Sequence, residues 1–335
     1  MKSLVSMIVL SFVLTLALIA QTTTPPQRGA EAQRGAEGQR RGGRGRGDQP
    51  PGPPQKVAWV DRTGKVLGVI GTPMVAILDP SISPDGKKVA VRGRAEAGET
   101  EHTYILEGTT KRRLTNNEGS ERHQFWSTKG DRILFSMQVP GQGNVSNLFI
   151  RNSDGSGMDQ PLVVSEGMHK WAPTWSPDGK FVVYHTNDLS TQARDIGFVD
   201  VASRKTDFLV QTAETEALPR FSIDGDLVGY QAQPGDNAQG QWEVWVTTFP
   251  KSNNKWKIST NGGQWARFSK DEIFYWEGNN LMAVKFTGKG ASFKVAGAPT
   301  KLFAGADVGM GTGNIGGYNF FYDYRDGKFV VVQRQ

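Results

Sequence analysis

The pentapeptide Ser83-Pro84-Asp85-Gly86-Lys87 recurs as Ser176-Pro177-Asp178-Gly179-Lys180, and this self-similarity constrains the fold more than any other feature of the chain. Weaker copies are Ser127-Thr128-Lys129-Gly130-Asp131 and Ser222-Ile223-Asp224-Gly225-Asp226. A shortened copy is Ser269-Lys270-Asp271, and the last is Tyr324-Arg325-Asp326-Gly327-Lys328. Measured between first residues, the spacings are 44, 49, 46, 47 and 55, the period of a four-stranded propeller blade. The turn chemistry accounts for the motif. Pro sets φ at the first corner of a type I turn, Asp suits the second, and Gly takes the left-handed position that follows. Each copy therefore predicts a bulged hairpin between two strands.

After each hairpin the sequence offers two further β-rich segments: 103–107 with 111–114, 147–151 with 161–164, 195–200 with 207–210, 243–248 with 256–259, and 281–286 with 300–303. The sixth hairpin, 319–322 with 329–333, has no chain after it to supply outer strands. Residues 57–61 and 66–70 form an orphan pair at the other end. Joining the orphans completes the count. The expected fold is all-β, a six-bladed β-propeller of four-stranded blades closed by pairing N- and C-terminal strands in one blade. No stretch of ten or more residues carries a helical apolar stripe. A closed ring covers its own sheet edges, so a monomer is expected.

These repeats resemble the TolB-type propeller, a WD-like family marked by W-S-P-D-G-K, which appears here as Trp175 to Lys180. The resemblance covers about residues 56–335. The stretch Trp256-Lys257-Ile258-Ser259-Thr260-Asn261-Gly262-Gly263, then Arg267-Phe268-Ser269, is similar to propellers C-terminal to some bacterial Ser/Thr kinases. Leu281-Met282-Ala283-Val284, Phe293, Gly297 and Leu302-Phe303 continue that likeness. The chain leaves no room for a kinase domain and begins with an export-type segment instead. The resemblance implies a protein-interaction scaffold of the bacterial envelope and names no partner; a fold does not fix a function.

Ahead of the propeller, Lys2 precedes an apolar run over residues 4–20, which reads as a signal peptide or an uncleaved signal anchor. A periplasmic or secreted location follows, with inner-membrane anchoring the alternative. Cleavage after Ala20 would place Leu18 where a small residue is preferred. Residues 21–55 are rich in Arg, Gly, Pro and Gln and cannot bury enough apolar surface to order themselves, so a disordered linker is expected. Of the net charge of +6, +4 lies in residues 1–55. The nearly neutral remainder argues against nucleic acid as a partner. The absence of cysteine excludes disulfides, Cys-ligated metal, a cysteine nucleophile and a lipoprotein anchor.

Catalytic signatures are sparse. No nucleophile elbow, zinc helix or phosphate loop occurs. Gly311-Thr312-Gly313-Asn314-Ile315-Gly316 fits G-x-G-x-x-G but leads into an aromatic strand instead of a helix, so it reads as an interblade loop. The Asp-Gly turns crowd one face of the ring. The longer loops, 92–102, 115–122, 138–146, 165–171, 186–194, 211–217, 232–241 and 304–317, emerge on the other, where binding groups tend to sit. Near the channel this long-loop face should present Glu118, Glu121, Arg122 and His123, then Glu166, His169, Lys170 and Trp171, then Glu214, Glu216 and Trp265. A ring of mixed charge with two indoles suits recognition of an envelope protein or polymer; packing of Trp171 and Trp265 between blades, with solvated charges, is the alternative. His123 and His169 with Glu118 and Glu166 make a possible metal set, although no cofactor or metal is expected. The leading expectation is a non-catalytic binding scaffold. The alternatives are an envelope glycan or peptide hydrolase or lyase using these carboxylates or a His-bound metal, and a ligand sensor.

Overall fold

A computed structural model describes residues 53–141, 145–233, 241–310 and 320–334. The apolar segment 4–20, the cleavage position, nearly all of the 21–55 linker and the Gly311–Gly316 motif lie outside the described residues. Among those described, no helix is long and apolar enough to cross a membrane.

Six antiparallel sheets make the ring. The first blade runs from its inner strand Ala76–Ile82 through Lys88–Arg94 and His102–Glu107 to Thr110–Arg113. The next three repeat this order from the inner strands Ser120–Trp126, Met168–Trp175 and Thr215–Phe221. The fifth starts at Gln264–Phe268 and carries an additional short strand, Lys294–Val295, paired with the end of Asn280–Thr287. The sixth is the composite blade. Tyr322–Arg325 and Lys328–Arg334 form its inner half, and Gln55–Val60 and Val66–Met74 its outer half. Closure runs in register from Gln55 opposite Arg334 to Val60 opposite Phe329. The expected six four-stranded blades and their closure are thus observed.

The repeated turns work as their sequence dictates, with the serine supplying a further constraint. Ser176 Oγ donates to Asp178 Oδ1 at 2.6 Å and accepts the Phe181 amide at 2.9 Å, while Asp178 accepts the Lys180 amide at 3.0 Å. Gly179 sits at φ 73° and donates to the Ser176 carbonyl. The Ser176 hydroxyl and the Lys180 amide hold the Asp178 carboxyl below the usual range. Ser83 and Asp85 repeat the pattern.

Alternation along the second strands builds the cores between blades. Ile133 and Phe135 face Ala90 and Ile105 of the first blade, whereas Leu134 joins Trp175, Val182 and Tyr184 of the third. Further clusters fill the third–fourth and fourth–fifth junctions. One continuous cluster spans both junctions of the composite blade and includes Trp276, Phe303, Tyr322, Phe329, Val57 and Ile77. Trp126 ties the first two blades by donating its indole N–H to the Ser81 carbonyl at 2.9 Å.

Candidate functional site at the central channel

Inner strands carry a second repeated device, four residues before each turn serine. Asp79, His123, Ala172, Leu218 and Trp265 all have positive φ, between 48° and 61°. Each falls at a register break between the first and second strands. One left-handed residue per strand makes a bulge that bends the innermost strands where they converge. The arrangement costs about 1–2 kcal/mol at each non-glycine position, which surrounding packing must offset.

The bulge explains the placement of the sequence-predicted residues. Pairing continues past it, so the inner strands begin earlier than the turn pattern indicated. Glu121, Arg122, His123, His169, Lys170, Trp171, Glu216 and Trp265 therefore lie on strands, and only Glu118, Glu166 and Glu214 lie on loops. Glu118, Glu166 and Glu214 are exposed; Arg122, His169 and Trp171 are half-buried. Glu121, His123, Lys170, Glu216 and Trp265 are buried, with no more than 2% of their surface exposed. The expectation of two exposed indoles is corrected accordingly: Trp265 packs against Phe321 and Tyr322 in the core, and only Trp171 reaches the rim.

Two residues before the bulge stand three buried ionisable groups, of which Glu121 and Lys170 brace neighbouring blades. Glu121 accepts hydrogen bonds from the Thr103 amide and hydroxyl at 3.2 and 2.8 Å, from Thr115 Oγ1 at 2.7 Å and from Asn117 Nδ2 at 2.9 Å. Burial raises its pKa while these donors oppose the rise. Lys170 Nζ donates to Asn147 Oδ1 at 2.8 Å and the Met168 carbonyl at 2.7 Å, and burial lowers its pKa to about 8. Glu216 accepts from Thr212 Oγ1, and burial, with Asp195 nearby, raises it to about 7.

Between these braces an aromatic row runs inward from the long-loop rim. His169, whose Nδ1 accepts the Ser146 amide, stacks on Trp171 with centroids 4.5 Å apart. Trp171 lies 5.6 Å from His185, His185 lies 6.4 Å from His123, and His123 stacks on Phe320 at 6.0 Å. Burial lowers the pKa of His123 to about 3 and pushes His185 well down, so both imidazoles are neutral. Among the described residues no group of three or more His, Asp or Glu is placed to hold a metal ion. The possible set built from His123 and His169 does not assemble there.

Phe320 is wholly buried and accompanies the blade closure. Its amide donates to Asp79 Oδ1 at 3.1 Å, and its carbonyl accepts the Asp79 amide at 2.9 Å. Asp79 also pairs with Arg92 at 3.0 Å. Two guanidinium groups, Arg220 and Arg267, lie 5.0 and 4.9 Å from the Phe320 ring centroid. They line a cavity of about 370 Å³ that opens toward the Asp-Gly turns and receives residues from all six blades. Its volume lies within the range of small-ligand sites, and its lining contains no histidine. This opening on the turn face was missed in the sequence, where that face read as structural. The available signal was Arg220-Phe221 and Arg267-Phe268, charged residues one step before an aromatic on an inner strand.

A closed ring of six four-stranded sheets, with rim residues at one mouth and a cavity at the other, defines the chain as a six-bladed β-propeller. The sequence model of the TolB β-propeller domain matches residues 63–269, and the chain belongs to that family. The Tol-Pal system protein TolB of Francisella tularensis is 27% identical over 154 residues, 45% of this chain and 34% of the relative. The chain thus aligns with about a third of the length of these curated relatives. An uncharacterized protein of Agrobacterium fabrum is 28% identical over 160 residues, 47% of this chain and 52% of the relative. A solved TolB-type structure from Agrobacterium tumefaciens superposes with a TM-score of 0.61 at 16% identity, covering 84% of this chain and 98% of the other. TolB from Acinetobacter baumannii gives 0.51 at 15%, covering 69% and 60%. These two structural matches establish likeness of fold.

Proposed function

We propose that this chain is an exported, non-catalytic scaffold that binds a protein of the bacterial envelope at the long-loop mouth of its propeller. The observation that carries the reading is the accessible row at that mouth. His169 and Trp171 are stacked and half-buried, with Arg122 on the preceding inner strand and the exposed carboxylates of Glu118, Glu166 and Glu214 on the surrounding loops. A pre-ordered indole and imidazole lose little rotamer freedom on binding, and Trp and Arg are common anchors of interfaces. Family membership and relatives named for the Tol-Pal system support an envelope partner, and the apolar run at 4–20 supports export to reach it. The carboxylates offered for acid–base chemistry do not share one environment: three are exposed on separate loops, and Glu216 is enclosed.

The test uses the full chain as bait in native envelope extract, followed by titration of the captured, purified protein against wild type and His169→Ala/Trp171→Ala. We expect affinity to fall at least about tenfold in the double variant. Equal affinity in both chains would move the interface elsewhere, and turnover of glycan or peptide panels by the wild type would replace the scaffold with an enzyme.

A further inference from the structure

Arg220 and Arg267 occupy the same repeat position, two residues before the turn serines Ser222 and Ser269, on adjacent inner strands. Their surroundings differ in one respect. Arg267 Nε donates to Asp323 Oδ1 at 2.6 Å, and its other nitrogens donate to the carbonyls of Ala266 and Tyr322 at 2.9 and 3.3 Å. Asp323 comes from the following blade, one residue before that blade's turn marker Tyr324. At the corresponding place in the blade that follows Arg220 stands Phe268, one residue before Ser269. At this repeat position the chain therefore places a carboxylate after one arginine and a phenyl ring after the other.

Arg220 is left with an incomplete set of partners. Nη1 donates to the Pro219 carbonyl at 2.7 Å, whereas Nε and Nη2 have no hydrogen-bond partner among the described residues. Only 6% of the residue is exposed. Its guanidinium lies 3.9 Å from the Phe125 ring centroid and 5.0 Å from that of Phe320, and the residue lines the turn-face cavity. Burial and the neighbouring Arg267 both work against its charge. Cation–π contact with two rings offsets part of that cost but satisfies no N–H group. The Nε–Nη2 edge is the edge of a guanidinium that takes a carboxylate side-on with two parallel hydrogen bonds. Around it, Phe125, Trp175, Phe221 and Phe268 give the cavity an aromatic wall.

We propose that the turn-face cavity is a binding site for a peptide carboxylate, held by Arg220 in the way Asp323 is held by Arg267, with an apolar or aromatic side chain of the ligand against the ring wall. The site is independent of the long-loop mouth. Seating the carboxylate completes the hydrogen bonding of a buried cation, so recognition requires the negative charge and not the ring alone.

The test titrates the full chain with three probes: N-acetyl-phenylalanine, its amide, and the α-amide of N-acetyl-glutamate. Binding is read by calorimetry and by the indole fluorescence of Trp126 and Trp175, which line the cavity. We expect at least one carboxylate probe to bind in the millimolar range or tighter, and the phenylalanine amide at least about tenfold more weakly. Preference between the two carboxylates then tells an α-carboxylate source from an acidic side chain. Arg220→Met, which replaces a buried cation by an apolar chain of similar length, should fold, should lose the discrimination between acid and amide, and should no longer gain melting temperature from the acid. Equal binding of acid and amide, unchanged binding by a folded Arg220→Met chain, or no binding of either carboxylate to wild type at about 10 mM would each overturn the proposal. The acid–amide comparison on wild type decides the matter even if the variant does not fold.

Discussion

The two mouths of the channel treat buried charge in opposite ways. On the long-loop side, Glu121 and Lys170 are as buried as core residues, yet each is surrounded by hydrogen-bonding partners contributed in part by the preceding blade. On the turn side, Arg267 is completed by Asp323 while Arg220, one blade away, is not. A buried charge with its hydrogen bonds made is a brace, whereas one with an open edge marks the place where the chain lacks a partner. Burial alone does not distinguish the two; the register of each side chain against the next blade does.

Phe320 touches residues of both mouths, His123 of the aromatic row and Arg220 and Arg267 of the cavity, and its removal is the largest test of the contrast. The ring stacks on His123 and on Phe125 at 6.0 and 5.5 Å, and the two guanidinium groups lie 5.0 and 4.9 Å from its centroid. Phe320→Ala should destabilise the propeller by about 3–5 kcal/mol, through lost burial and a cavity that the bulged strands cannot close. Denaturant unfolding measures the loss. A cost below about 1 kcal/mol would mean that the strands relax into the space.

Within the long-loop side, Glu216 is buried with one carboxyl oxygen hydrogen-bonded and the other not, among the described residues, and its state can be tested by pH. Its folded pKa of about 7 lies above the ordinary value of 4.5, chiefly through burial. The neutral acid is therefore favoured in the folded state. Its contribution is fully present below pH 4.5 and is lost as pH rises to about 7. Glu216→Gln preserves an acceptor for Thr212 and removes the titration. The variant should gain on wild type by up to about 3 kcal/mol between those limits. His123 and His185 titrate in both chains and largely cancel in the difference. A pH-independent difference would show that Glu216 is ionised and solvated when folded.

How legible these features were depends on whether they are carried by local chemistry or by register. The Ser-Pro-Asp-Gly turns are local: hydroxyl, carboxylate, fixed φ and glycine act within a few residues, so the period, the blade count and the closure could all be read in one dimension. The bulges were not legible, because no glycine marks them; Asp79, His123, Ala172, Leu218 and Trp265 share a conformation and no chemistry. Missing them left the starts of the inner strands too late, so Glu121 and Lys170 read as loop charges when they are interblade braces, and Glu216 read as a loop charge when it is a buried strand residue. Arg220 could have been singled out by aligning the repeats, since its unmatched state is a comparison between blades: Asp323 follows Arg267, and Phe268 follows Arg220.

A smaller effect separates the two classes of charge at the long-loop mouth itself. Lys170→Ala removes the donor shared by Asn147 and the Met168 carbonyl and should cost about 1–3 kcal/mol, because buried acceptors are left without it. Glu118→Ala, Glu166→Ala and Glu214→Ala act on exposed side chains and should each stay within about 0.5 kcal/mol of wild type. Their effect belongs instead to binding. If a basic envelope partner docks at this mouth, the triple variant should slow its association and flatten the salt dependence of the on-rate, with little change in dissociation. Stopped-flow association at two ionic strengths measures both. An unchanged on-rate together with an intact affinity for the partner would place the carboxylates outside the interface and confine contact to the stacked His169–Trp171 pair. A large loss of stability in the triple variant would erase the distinction between braces and rim.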